Sequence, residues 1–151
     1  MRPTQLVSVY LNEDNLSGGG PSPAPSTLTF ENAFTDASSE SGGMFDITPS
    51  TGCRMQAAGT ITGKLGIFKL SGFLVTVGGG TADVTWTAFL PPMAVVPSTH
   101  GLVLGRVGQN AASCFGDVVV ALDGSVSIVN ASTVFGANTY AFECTISCQL
   151  A

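Results

Sequence analysis

The chain is poor in charged residues. Asp, Glu, Lys and Arg make up 10% of its 151 residues, whereas soluble proteins have about 25%. A surface with so little charge does little to keep copies of a protein apart in solution. Two interpretations follow. Either neighbouring subunits cover much of the surface, or Ser and Thr hydroxyls supply its polarity.

The sequence also lacks a cluster of basic residues. The net charge is −5, and the basic residues are scattered along the chain, at Arg2, Arg54, Lys64, Lys69 and Arg106. Proteins that bind nucleic acid neutralise phosphates with a basic patch or stripe. We therefore expect no direct contact with nucleic acid.

Long apolar runs are missing as well. No run approaches the ~18 residues needed to span a bilayer. The start of the chain, Met1-Arg-Pro-Thr-Gln-Leu6, lacks the apolar central stretch of a secretory signal. We expect no membrane association, and a protein made in a cytoplasm and kept there until it joins an assembly.

No combination of residues typical of an active site is visible. His100, the single histidine, follows Pro-Ser-Thr in an irregular region that predicts a loop, and no Gly-x-Ser-x-Gly elbow accompanies it. The carboxylates are dispersed, and no phosphate-binding or calcium-binding loop occurs. The sequence predicts a protein that is not an enzyme and has no cofactor or metal. A small hydrolase using His100, and a secreted carbohydrate-binding module with convergent surface aromatics, remain alternatives.

The four cysteines do not form a recognisable metal or disulfide motif. Cys144 and Cys148 would lie on one face of a strand, about 13 Å apart at ~3.3 Å per residue, too far for a disulfide. A zinc knuckle needs its two cysteines on either side of a turn, whereas this pair is predicted to lie along a strand. We interpret the thiols as small buried hydrophobes. A long-range bridge from Cys53 or Cys114 to one of this pair stays open.

The N-terminal residues 1–26 predict an extended arm and its linker. Residues 5–11 alternate so that both faces of a strand are apolar, and residues 12–26 are rich in Gly and Pro, which favours an extended connector. We expect the arm to add itself to a sheet edge of another subunit; an ordinary first strand followed by a long surface loop is the alternative. The residues predicted to bind the partner are Leu6, Val7, Val9, Tyr10 and Leu11.

Residues 27–151 alternate between apolar and polar side chains and predict a β-sandwich domain. The expected strands are 27–34, 44–48, 52–62, 66–77, 81–90, 102–107, 114–122, 125–130 and 140–150. Loops are expected at 36–43, at Gly78-Gly79-Gly80 as a hairpin, and at Asp123-Gly124 as a second hairpin. Gly59 and Gly72 are expected to mark bulges or bends. With no helical pattern, the fold class is all-β, a jelly-roll-like sandwich.

The clearest strand is the last, which predicts a core-facing side and a solvent-facing side. Its core-facing residues are Tyr140, Phe142, Cys144, Ile146, Cys148 and Leu150. Trp86 is expected in the core rather than on the surface, because it shares a strand face with Val84 and Leu90.

Several of these segments resemble bacteriophage virion structural proteins. The features are the Gly-interrupted strand Phe68-Lys-Leu-Ser-Gly-Phe-Leu-Val-Thr-Val77, the strand end Leu90-Pro91, the turn at Asp123-Gly124 and the final Tyr140-Ala-Phe142 strand. The resemblance covers about residues 66–150 and implies no catalytic residues. It implies a virion component, either a trimeric jelly-roll capsid decoration (cement) protein or a tail-fibre tip that binds a host receptor.

We favour the decoration protein over the fibre tip, because the chain has no heptads or shaft repeats. A separate short fibre subunit would avoid that objection, so the fibre tip remains the alternative. The expected partners are further copies of the chain in a homotrimer, and the major capsid protein or other virion proteins.

Overall fold

The fold is built from strands alone. The computed structural model describes residues 5–9, 26–108 and 112–151, and within those ranges every regular element is a β-strand. The strands are β1 Gln5–Val9, β2 Thr27–Asp36, β3 Ser39–Ser41, β4 Arg54–Thr62, β5 Leu65–Thr76, β6 Gly80–Trp86, β7 His100–Arg106, β8 Ala112–Val120, β9 Val126–Thr133 and β10 Asn138–Gln149. The predicted all-β class is confirmed. No helix long and apolar enough to cross a membrane occurs in these ranges.

All ten strands belong to one antiparallel sheet, in the order β1-β2-β4-β5-β10-β7-β8-β9-β6-β3. Strands β6 to β9 form a Greek key, because β7, β8 and β9 follow one another and β6 lies beside β9. Strands β2 and β3 lie near opposite ends of the sheet, yet only Ala37 and Ser38 separate them in the chain. The sheet therefore curls into a half-barrel that brings its two ends together.

Side chains on the inner surface of the curled sheet form one core. Trp86 on β6 packs against Phe142 on β10, with ring centroids 6.4 Å apart, although these strands are not neighbours. The core-facing residues predicted for the last strand are buried, except Cys144, which is half-buried. Trp86 is 1% exposed, so its predicted place in the core is confirmed.

The predicted hairpin at Gly78-Gly79-Gly80 is wrong. Strand β5 pairs with β4 and β10, whereas β6 pairs with β9 and β3. The chain thus crosses at these glycines from one half of the curled sheet to the other. The hairpin at Asp123-Gly124 is confirmed, since Val120 pairs with Val126 across it.

Three local predictions also need correction. Residues 36–43, expected to be a loop, contain the short strand β3. The strand expected at 44–48 is reduced to a single bridge between Phe45 and Thr76. His100, expected in a loop, is the first residue of β7.

The glycines inside β4 and β5 serve a different purpose from the predicted one. The pairing of β4 with β5 runs without a register shift past both Gly59 and Gly72, so neither marks a bulge. A Cβ atom at Gly72 would overlap the carbonyl oxygen of Arg54, and one at Gly59 would overlap that of Ile67. These glycines let neighbouring backbones approach closely.

Candidate interaction surface

The N-terminal strand lies at one end of the sheet. Strand β1 pairs antiparallel with β2 of the same chain, and β2 pairs on its other side with β4. Of the predicted partner-binding residues, Leu6, Val7 and Val9 lie in β1, whereas Tyr10 and Leu11 lie outside the described residues. Pairing of the same strand with a second copy stays a prediction.

The segment of β2 that pairs with β1 also contributes to the core. Val9 pairs with Leu28, and Val7 with Phe30. Phe30 is fully buried and contacts Phe68 edge to face, at 5.2 Å between ring centroids. The edge that β1 covers is therefore continuous with the hydrophobic core.

The chain between the two paired strands is long. Residues 10–26 separate the end of β1 from the start of β2, whereas hairpin strands are usually joined by about two to five residues. Fully extended, such a segment spans roughly 55 Å. The connection is thus several times longer than a hairpin between β1 and β2 requires.

At the end of the β1 pairing lies a buried amide, Asn32. Gln5 is its register partner, and the pairing of β2 with β4 shifts register between Asn32 and Thr35. Asn32 is 2% exposed, and its Nδ2 donates a hydrogen bond to the carbonyl of Phe89 at 3.0 Å. The amide thus ties the β1–β2 edge to the chain segment that follows β6.

Immediately beyond, β2 contributes to an outward-facing group that we call the Arg54 cluster, formed by Phe34, Arg54 and Phe73. The two rings stack at 6.1 Å between centroids, and the guanidinium carbon of Arg54 lies 5.8 and 5.5 Å from those centroids. Phe34 remains 49% exposed. The cluster combines apolar area with a cation, and cation–π contacts of this kind hold a guanidinium in place.

A second outward apolar pair lies on the other half of the sheet. Val103 on β7 pairs directly with Phe115 on β8, and they are 63% and 55% exposed. Exposed apolar groups of this size frequently belong to contact surfaces between proteins. Together with the Arg54 cluster, they favour the interpretation that neighbouring subunits cover part of the sheet.

The thiols do not form a reactive site. All four cysteines are free, so the bridge left open for Cys53 or Cys114 is not present. Burial raises the pKa of Cys53 to about 11, and burial also raises that of Cys144 to about 11. A raised pKa keeps a thiol protonated and unreactive near neutral pH, which agrees with their interpretation as small hydrophobes.

The described ionisable side chains form one ion pair and no metal cluster. His100 is exposed at the start of β7, opposite Val118. Among the described residues no three His, Cys, Asp or Glu side chains come together as a metal site would require. The one ion pair between described side chains joins Lys69 to Glu143 at 3.3 Å, and both are exposed.

Sequence reasoning missed Asn32 and the Arg54 cluster. A signal for Asn32 was present, since it occupies the same strand face as Leu28 and Phe30, where an apolar residue is expected. No such signal existed for the cluster. Phe34 and Phe73 come together on the outside because β2 shifts register after Asn32.

Comparison with protein-family models, with curated proteins and with solved structures finds no match for this chain. The resemblance to virion proteins therefore stays a prediction. A functional assignment depends on the geometry of the sheet edge and of the outward surface.

Proposed function

We propose that this chain is a non-enzymatic structural subunit of a virus particle, a capsid decoration (cement) protein that binds and stabilises the assembled shell. The observation that carries the proposal is the position of β1 at the outer edge of its sheet, on a connection far longer than a hairpin requires. The protein is made in the host cytoplasm and joins the virion afterwards.

In this proposal the copies are joined by exchange of their arms. Each copy places its β1 on the β2 edge of a neighbour, where main-chain hydrogen bonds supply affinity and side-chain positions supply specificity. Domain swapping of this kind costs little, because the exchanged contacts are those already made within one chain. The expected product is a homotrimer.

Contact with the major capsid protein or other virion proteins is assigned to the outward surface. The Arg54 cluster and the pair of Val103 and Phe115 supply apolar area, and few charges accompany them. Aromatic and Arg side chains are the residue types enriched in protein interfaces. We further propose that the fold belongs to the jelly-roll-like sandwiches. The Greek key of β6 to β9 supports this fold class.

Oligomeric state tests the exchange of arms. Light scattering of the full chain is expected to give a trimer. The matched control replaces residues 11–26 with Asn-Gly, a turn that joins two antiparallel strands directly. This variant retains β1 but confines it to its own chain, so it is expected to be a monomer. A monomeric full chain, or a trimer that the Asn-Gly variant preserves, would contradict the exchange.

The place of the protein on the particle tests its role. Antibody against the chain, visualised by electron microscopy on intact particles from the producing culture, is expected to label the shell. Label confined to a tail would replace the decoration role with that of a fibre tip. Absence of label from purified particles, with the protein left in the soluble fraction, would overturn the virion assignment.

A further inference from the structure

Two charged side chains on the outside of the sheet, Arg54 and Asp117, have no oppositely charged partner among the described side chains. Asp36 is the register partner of Arg54, yet its carboxylate accepts a hydrogen bond from the backbone amide of Ser50 at 2.9 Å. The one ion pair between described side chains involves neither Arg54 nor Asp117. Arg54 therefore presents a cation that no described carboxylate neutralises.

Asp117 adjoins the exposed apolar pair on the other half of the sheet. It lies two residues after Phe115 on β8, and because side chains alternate along a strand, both occupy the same face. Val118, which follows it, points into the core and is 2% exposed. Most other described carboxylates accept a hydrogen bond from a nearby backbone amide, whereas Asp117 accepts none from a described residue. Val103, Phe115 and Asp117 together form what we call the Asp117 surface.

The Arg54 cluster and the Asp117 surface are complementary in chemistry. The cluster has two stacked rings and a guanidinium that the rings hold in place. The Asp117 surface has an exposed ring, an exposed aliphatic side chain and a carboxylate. If the two surfaces meet, apolar area covers apolar area, and a guanidinium meets a carboxylate, which it can bind with two parallel hydrogen bonds.

The two surfaces do not meet within one chain. Arg54 lies on β4 and Asp117 on β8, which are four strands apart in the order β4-β5-β10-β7-β8. At ~4.8 Å per strand the separation across the sheet is about 19 Å, and both side chains lie on its outer face. A second copy of the chain carries the complementary surface, so the charge of each surface identifies the other as its occupant.

We propose that the Arg54 cluster of one copy binds the Asp117 surface of a second copy, with Arg54 paired to Asp117. This deepens the proposed function, on which it rests only for the claim that neighbouring subunits cover the outward surface. The contact joins different surfaces of the two copies, so its repetition around a threefold axis closes a ring. In a trimer already joined by arms it forms at high effective concentration. It therefore stabilises the trimer although it is too weak to hold copies without exchanged arms together.

Charge reversal tests the pairing in the full chain. Arg54→Glu and Asp117→Arg each place like charges opposite one another, so each is expected to raise the dissociation constant of the trimer at least about tenfold, measured by analytical ultracentrifugation. The double variant restores opposite charges and is expected to return the constant to within about threefold of wild type. Lys64→Glu, in the exposed turn between β4 and β5, makes the same change in net charge and is expected to leave the constant unchanged.

Rescue in the double variant is the decisive result. Arg54→Glu also removes a cation from the rings of its own chain, so this variant alone could weaken the trimer by loosening the fold. Asp117→Arg lies four strands away and cannot repair that loss within one chain. A double variant as weak as Arg54→Glu would contradict the pairing.

Cross-linking detects the contact whether or not the chain is a trimer. Arg54→Lys keeps the positive charge and supplies an amine. A carbodiimide joins this amine to a carboxylate in contact with it, as an amide, and takes up the water lost to leave as its urea. Isotopically light and heavy chains are mixed, so that mass spectrometry recognises links between copies. The expected link joins position 54 of one copy to Asp117 of another, and Asp117→Asn is expected to abolish it. Links from position 54 spread over many carboxylates, like those of the exposed Lys64, would overturn the inference.

Failure of the arm exchange is distinguishable from failure of this inference. If the full chain is a monomer but the link between position 54 and Asp117 forms between copies in concentrated solution, the exchange is wrong and the contact stands. If the full chain is a trimer that ignores Arg54→Glu and gives no such link, the exchange stands and the contact is wrong.

Discussion

The indole Nε1 of Trp86 donates a hydrogen bond to the carbonyl of Thr35, at 2.9 Å. Trp86 belongs to β6, near one end of the sheet, and Thr35 to β2, near the other end. The bond therefore connects two regions that the strand order separates. It also satisfies a carbonyl on the strand whose register shifts, where an unpaired buried group would be costly.

Trp86→Phe is expected to lower the free energy of unfolding by about 2–4 kcal/mol, because it removes this bond and leaves a cavity in the core. Urea denaturation followed by circular dichroism measures the change. Val134→Ala is the control: Val134 is 89% exposed, and its truncation is expected to change stability by less than about 0.5 kcal/mol. If Trp86→Phe and Val134→Ala were equally stable, the contact of Trp86 with Thr35 would contribute little to the free energy of unfolding.

Gly72→Ala is expected to destabilise the protein by more than about 2 kcal/mol, since the added methyl group collides with the backbone of β4 at Arg54. Gly101→Ala in β7 is the matched control, because a Cβ atom added there has no other atom within 4 Å. Gly101→Ala is expected to be neutral or stabilising, because alanine lowers the conformational entropy of the unfolded chain. Thermal melts of both variants give the comparison, and a Gly72→Ala protein with the wild-type melting temperature would contradict the close approach of the strands.

Stability is expected to fall as the pH rises from about 9 to about 11. Burial raises the pKa of Cys53 from 9.0 to about 11, so over this range the unfolded chain has lost the thiol proton that the folded chain keeps. Because the unfolded state then binds fewer protons, the free energy of unfolding declines with pH. Urea titrations at pH 8.5, 9.5 and 10.5 measure the decline. Cys53→Ala is expected to show a shallower one, and an identical slope would contradict the raised pKa.

Deletion of residues 1–26 is expected to leave a folded protein that no longer forms trimers. The described core residues begin beyond this segment, with Leu28 and Phe30 on β2. Circular dichroism is expected to retain the strand signal, and light scattering to give the monomer mass. The variant in which Asn-Gly replaces residues 11–26 is also expected to be a monomer, but it keeps β1. Comparing the two variants therefore distinguishes the effect of preventing arm exchange from the effect of removing the strand. A truncated chain that still forms trimers would show that the arm does not join the copies.

The sequence was sufficient to predict the elements whose own residues determine burial. In β10, apolar and polar side chains alternate through twelve residues, and the predicted core side is the buried one. Strand β3 was missed because Ser39-Glu40-Ser41 has no apolar residue to give an alternating pattern. It forms because Asp83 to Thr85 of β6 offers a free edge beside it.

Strand neighbours were harder to predict than the strands themselves. Gly78-Gly79-Gly80 has the composition of a hairpin loop, which would pair β5 with β6. Instead β5 pairs with β10 over its whole length. That partner lies more than sixty residues away, and a local turn signal carries no information about such a competitor. The same limit applies to the candidate site. Asn32 meets Phe89 only after the sheet has curled, and Phe34 meets Phe73 only because β2 shifts register after Asn32.

The position of β1 also sets how many neighbours each copy can have under the proposed exchange. A copy gives one strand and offers one β2 edge, so it has one outgoing and one incoming connection. Head-to-tail connections of this kind close into a ring if the rotation between neighbours divides a full turn, and otherwise continue as an open filament. Closure leaves no acceptor edge vacant, so growth stops at a size that the angle between copies determines.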